Sequence, residues 1–225
     1  LRAWGFIVWP LAWIVHWWAL HAADAWGTDA ATGDHPRGKA AAWLKHGHTA
    51  SALALVAWIS WEASEWVGHW FDAGTVWMAC AAAWPAIAYL ALAPRCTAWS
   101  GWPWRTHGDA YAVSAATAIA AFLAVWFVLV NVVSPGGAAP LPYVPLANPL
   151  DFTLIASLLV LFAWTRATDM LDEADAWRFM GVAVFVLVNA IVFRTVHQWL
   201  DVPWRWSALL RSTVLQAALT LMWTA

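Results

Sequence analysis

The sequence predicts an all-α, polytopic transmembrane helical bundle of about seven spans, and three observations carry that reading. Of 225 residues, 63% are apolar and only 11% charged, against roughly 25% charged in an ordinary soluble domain. Several apolar runs approach the ~20 residues that cross a bilayer. Tryptophan occurs 23 times, and its ring favours the lipid–water interface. The same ring lowers hydropathy averages, so the mean hydropathy of +0.61 understates how apolar the chain is.

A formal charge of −2 without any basic run excludes a nucleic-acid partner. Cys80 and Cys96 are too few for a disulfide framework. They sit near opposite ends of one span, too far apart along a helix to bond. The chain opens on LRAWGF without Met and ends on TLMWTA inside an apolar run. It therefore reads as one helical domain, 1–225, within a longer membrane protein.

Span one covers Ala3 to Ala22, with Pro10 a kink and Trp4, Trp9, Trp17 and Trp18 at its flanks. A polar loop from Asp24 to Gly47 follows, its Gly-Asp-His-Pro-Arg-Gly centre being turn material. Span two, His48 to Val67, ends in Glu62, Glu65 and His69, which share a helical face at i, i+3 and i+7. A turn through Asp72 and Gly74 leads to span three, Thr75 to Ala93, closed by Pro94.

The loop Arg95 to Gly108 precedes span four, Asp109 to Val133, with Asp109 as N-cap and Asn131 near the far end. Next comes SPGGAAPLPYVPLAN, Ser134 to Asn148, uncharged and rich in proline and glycine. It is expected to fold back over the protein as a lid-like segment. Span five opens on Asn148-Pro149-Leu150-Asp151: a cap, a proline at the first helical position and an acid in the first turn. Span six, Trp177 to Trp199, and span seven, from an N-cap at Ser207, bracket the polar stretch FRTVHQWLDVPWRWSALLRS.

In that stretch Arg194, His197, Gln198 and Asp201 fall on one face at about 100° per residue. Ionisable groups at a membrane helix end avoid lipid and face protein or water. Lys and Arg concentrate in loops one, three and five (Arg37, Lys39, Lys45, Arg95, Arg105, Arg166, Arg178). The positive-inside rule puts those loops in the cytoplasm and the N-terminus outside.

On that orientation the embedded polar residues gather at the outer side. Glu62, Glu65, Arg194 and His197 are the candidate catalytic groups. His69, Asn131, Tyr143, Asp151, Gln198, Asp201, Arg211 and Gln216 are candidates for binding substrate. A buried carboxylate ion-pairs or takes up a proton, and Arg194 and Arg211 are the cations at matching depth. So Glu62 and Glu65 read as a structural ion-pair network, as acid–base groups or as a proton relay. His197 reads as a general base beside an anion-binding guanidinium, or as a histidine satisfied by Glu62 or Glu65. His69, Glu65 and His197 have metal-ligand chemistry but no close spacing. His46 and His48 read as a solvated loop pair, so neither a metal nor another cofactor is expected.

PLPYVPLANPLDF (140–152), FRTVHQWLDVPW (193–204) and STVLQAALTLMWTA (212–225), in that order and spacing, resemble the C-terminal half of the DUF2339 family. Trp9-Pro10, the region from His16 to Leu20, and Glu62 are similar too. Gln198 stands where the resemblance leads one to expect a second histidine. The resemblance implies a bacterial inner-membrane protein with further helices on both sides, and it implies no activity. Three functions stay open. The outward pocket handles a lipid-linked or glycan envelope substrate, with Glu62 or His197 as base; or the chain is a transporter or channel component with a carboxylate relay; or it is a structural membrane subunit. Its partners are then membrane lipid, that substrate and the neighbouring helices.

Overall fold

The structure, a computed structural model, describes residues 5–29, 37–71, 75–96 and 98–224. Nine α-helices are described: α1 (Gly5–Asp29), α2 (Arg37–Trp70), α3 (Thr75–Cys96), α4 (Trp104–Asp109), α5 (Ala116–Val133), α6 (Pro149–Ala167), α7 (Glu173–Leu200), α8 (Trp206–Arg211) and α9 (Thr213–Thr224). A π-helical stretch, Ala110–Ala115, joins α4 to α5. Four helical stretches are long and apolar enough to cross a membrane: Val76–Cys96, Trp104–Val133, Pro149–Ala167 and Glu173–Leu200. Of the roughly seven spans expected, these four meet that length and hydropathy among the described residues; tryptophans and polar residues hold α1 and α2 below it, and α9 has only 12 described residues.

Contacts divide the chain into two compact units. The first holds residues 1–54 and 95–115, the second 55–94 and 116–225. In the first, α1 and the beginning of α2 pack with α4 and the π-helical stretch. His16 Nε2 donates to Ser51 Oγ at 2.6 Å, because the single Ser51 proton already goes to the Gly47 carbonyl at 2.7 Å.

In the second unit Leu150, Leu154 and Leu158 of α6 meet Leu187 and Ile191 of α7, with Phe127 of α5 and Val76 and Cys80 of α3. A smaller cluster joins Val196 to Leu209 and Leu215. Between apolar helices in lipid the hydrophobic effect adds little, so close packing and polar ties hold them together. Gly68 shows the close packing: a Cβ there would lie 2.9 Å from the Met78 sulfur.

Local signals set some helix ends. Asn148 caps α6, accepting from the Leu150 N–H at 2.8 Å, with Pro149 at the first helical position, as the sequence predicts. Its amide also donates to the Gly136 carbonyl at 2.9 Å. Asn148→Ala removes both bonds and is expected to cost about 1–2 kcal/mol, measurable as a fall in thermal unfolding midpoint in detergent. A change within error would show the cap to be dispensable.

Other boundaries move. Asp109 lies inside a helical run that starts at Trp104, so it caps nothing. Pro94 sits within α3, which continues to Cys96, a tolerance typical of membrane helices. The expected start at Ser207 is displaced, since α8 begins at Trp206 without a side-chain cap. Ser212 instead breaks the helix, and its Oγ accepts from the Leu215 N–H at 3.3 Å. Helix α2 already begins at Arg37. The turns expected around Gly33–Pro36 and Asp72–Gly74, and the flanking Arg2 and Trp4, lie outside the described residues.

Candidate functional site

The proline-rich segment, 134–148, poses a physical problem that explains the polar residues around it. Proline has no N–H and fixes φ, so the segment cannot fold its backbone into a helix or ladder. In apolar surroundings its carbonyls still need donors. Four side chains supply them, three from α7 and one from α3. Arg194 Nε donates to Ser134 O at 3.3 Å, Gln198 Nε2 to Pro135 O at 2.9 Å, and Trp77 Nε1 to Ala139 O at 2.9 Å. Trp199 Nε1 reaches Tyr143 O at 3.1 Å. Just before the segment, Trp204 Nε1 serves Val133 O at 3.0 Å.

Behind the segment lies a buried ion pair. Arg194 and Asp151 are both 0% exposed and meet at 2.9 Å. The other guanidinium donor faces Asn131 Oδ1 at 3.2 Å and Val130 O at 3.4 Å. The second oxygen of Asp151 accepts from the Tyr143 hydroxyl at 3.1 Å and from the Leu146 N–H at 3.2 Å. Leu146 has φ +67°, a left-handed conformation costing roughly 1–2 kcal/mol for a side chain, and this carboxylate helps to hold it. Burial, with the Asp151 charge beside it, pushes the Tyr143 phenol well above its ordinary range, so it stays a donor.

Asn131, Tyr143, Asp151, Arg194 and Gln198 therefore come together, as the sequence reading expects, but around the segment. Other expected partners differ. Arg194 pairs with Asp151, not with Glu62 or Glu65. Among the described residues neither glutamate has a hydrogen bond or ion pair; Glu62 is half-buried and Glu65 exposed. His69 and Arg211 are likewise exposed without such a bond. His197 is satisfied neither by Glu62 nor by Glu65. Its Nδ1–H donates to the Val202 carbonyl at 2.6 Å, which leaves Nε2 as the acceptor nitrogen. Asp201 ends α7 in the left-handed region (φ 52°) and leaves the face that an unbroken helix would give it. Gln216 is exposed and donates to Leu210 O at 2.7 Å.

A groove of about 790 Å³ runs between the segment, residues 137–143, and the rings of Trp70 and Phe71, with Gln198 at its edge. Phe71 stacks on Trp77 at 4.6 Å, so the ring that borders the groove is braced by the one that ties down Ala139. Among the described residues, no charged side chain lines this groove. Its volume falls within the ~300–1,000 Å³ of small-molecule sites.

A second polar cluster lies in the first unit, built from residues that the sequence reading leaves out of its candidate site. His107 Nε2–H donates to Asp24 Oδ1 at 2.9 Å, and Trp102 Nε1–H to Asp24 Oδ2 at 2.6 Å. His48, expected in a solvated loop, is fully buried on α2. Its Nδ1 bonds the Tyr111 hydroxyl at 2.8 Å, and its ring stacks on His107 with centroids 3.9 Å apart. Burial works against the Asp24 charge, but the bonds from Trp102 and His107 and the neighbouring imidazoles outweigh it, so the carboxyl is held below its ordinary range. Sequence offered one signal for this cluster: Asp24, His48 and His107 each stand at the loop-one or loop-three end of a predicted span.

Four apolar helices of spanning length, with an irregular segment pinned by side chains from its neighbours, define a polytopic helical membrane protein. The chain belongs to the DUF2339 family, described as a predicted membrane protein, which matches residues 2–225. No curated protein and no solved structure matches it.

Proposed function

We propose that this chain is the membrane domain of a bacterial inner-membrane protein that holds an amphiphile, a lipid-linked or glycan envelope substrate, in the groove beside the proline-rich segment. The observation that carries this reading is the groove's wall. Apolar rings and prolines stand there with the Gln198 amide, and none of the described lining residues is charged. Such a wall suits an acyl chain or the apolar face of a sugar, with a few hydrogen bonds to orient it. The Lys and Arg distribution supports an outward-facing groove and an external N-terminus. Helices α1 and α2, at 25 and 34 residues, are long enough at 1.5 Å per residue to add two crossings to the four apolar ones, and α9 is a shorter apolar helix.

On this reading Arg194 positions the segment, because its donors already face Asp151, Asn131 and main-chain carbonyls. Glu62 and Glu65 keep unengaged carboxylates among the described residues, and His197 keeps an acceptor nitrogen, so acid–base work falls to these three. A photoreactive lipid-linked sugar should label the 137–143 segment in membranes. Gly137→Phe, which fills the groove beside Gln198, should lower that labelling about tenfold, equivalent to 1.4 kcal/mol. Undiminished labelling in a folded Gly137→Phe protein would remove the groove as the binding place.

A transport component is the second reading. It needs titratable groups besides those near the groove, and Asp24, His48 and His107 in the first unit are such groups. Proton-driven flux in proteoliposomes, abolished by Glu62→Gln, would favour it over the binding role.

A further inference from the structure

We propose that Asp24, His48 and His107 form a binding site for a divalent first-row transition metal ion such as Zn²⁺. Each residue offers one ligand atom, and these atoms lie within 4.8 Å of one another. Two imidazoles and one carboxylate are a donor set that such ions favour, with a remaining position for water.

The decisive atom is His48 Nε2. It is buried in a residue with 0% exposure, and it has no hydrogen-bond partner. It lies 3.4 Å from Asp24 Oδ2. With the proton on Nδ1 a buried lone pair faces the carboxylate, and with it on Nε2 the N–H meets the carboxylate only at this long distance. An uncompensated buried polar atom of this kind costs about 1–3 kcal/mol. A cation between the two atoms removes that cost. Two ligands each about 2.0–2.1 Å from a tetrahedral ion stand about 3.4 Å apart, which is the separation found.

The surroundings hold the ligands as outer-shell partners do. The Tyr111 hydroxyl fixes His48 through Nδ1, and Tyr111 is placed by the π-helical stretch, a feature frequent at functional sites. Trp102 Nε1–H orients the Asp24 carboxylate. His107 is the member that moves. Its ring lies 23° from parallel to His48, and near-parallel rings do not aim at one ion. Binding requires that His107 turn and give up the proton it shares with Asp24. It sits where the helix backbone departs from regular geometry (φ −123°, ψ 24°), and its side chain is 11% exposed.

The test uses the full chain purified in detergent, stripped with EDTA, then loaded with Zn²⁺ or Co²⁺ and desalted. The expected result is one equivalent of metal per chain by elemental analysis, and visible d–d absorption from Co²⁺ of the intensity of a four- or five-coordinate site. Asp24→Asn and His107→Gln should abolish both signals, while Trp102→Phe should weaken affinity by about ten- to a hundredfold. His46→Ala and His69→Ala, which change exposed histidines, should leave both signals intact. Circular dichroism and gel filtration of Asp24→Asn establish that it folds. Absence of bound metal in the unmutated chain would overturn the proposal, and so would equal loading of a folded Asp24→Asn or His107→Gln protein.

Discussion

Asp151→Ala is expected to destabilise the protein by about 3–5 kcal/mol, because it strands a guanidinium that has no exposure to water. The intact pair itself adds little, since desolvating both charges offsets most of their attraction. The large effect comes from removing one partner and leaving the other buried. Asp151 also holds the Tyr143 hydroxyl and the Leu146 N–H, so the same change loosens the proline-rich segment at its far end. Arg194→Lys should not preserve stability. A single ammonium cannot face Asp151, Asn131, Ser134 O and Val130 O together, as the planar guanidinium does. Denaturation followed by tryptophan fluorescence in detergent measures both variants. A loss below about 1 kcal/mol for Asp151→Ala, the range of an exposed pair, would mean that water reaches this ion pair.

Gly136→Val should cost about 2–5 kcal/mol, from two terms. The backbone there has φ +80°, which penalises an L side chain by roughly 1–2 kcal/mol. A Cβ would also lie 2.8 Å from Arg194 Cδ and 3.1 Å from Tyr143 Cε2, and overpacking of that kind adds about 1–3 kcal/mol. Neither neighbour yields easily, since the Arg194 head is fixed at four acceptors and the Tyr143 hydroxyl at Asp151. Gly181→Ala is the control: nothing lies within 4 Å of that Cβ, and alanine is the better helix former. Equal unfolding midpoints for Gly136→Val and the unmutated chain would contradict the close packing of Arg194 against the segment. Because that packing shapes one wall of the groove, Gly136→Val should also reduce lipid labelling where Gly181→Ala does not.

How much of this was readable beforehand depended on how local the cause is. The start of α6 was legible because Asn148, Pro149 and Asp151 announce it within four positions. The cap is real, yet capping is the lesser part of what Asp151 does. The starts of α4 and α8 were misplaced because neither uses a side-chain cap, so Asp109 and Ser207 were false signals. The face shared by Arg194 and Gln198 was legible from helical spacing. Its partner was not: Glu62, Glu65 and Asp151 all offered carboxylates near helix ends, and only the packing of α6 against α7 decides for Asp151. His48 looked like loop material because its charged neighbours are polar, and its burial depends on Tyr111 and His107, far away along the chain.

Read alone, the sequence is enough to show an all-helical membrane protein whose apolar runs are broken by an uncharged proline-rich segment. These follow from hydropathy and backbone stereochemistry, which act over a few neighbouring residues. Packing alone brings Arg194 onto Asp151 beneath that segment and gathers Asp24, His48 and His107 into one cluster. Charge pairing in an apolar interior is set by which helix faces touch, and residues distant in the chain carry no record of one another until they pack.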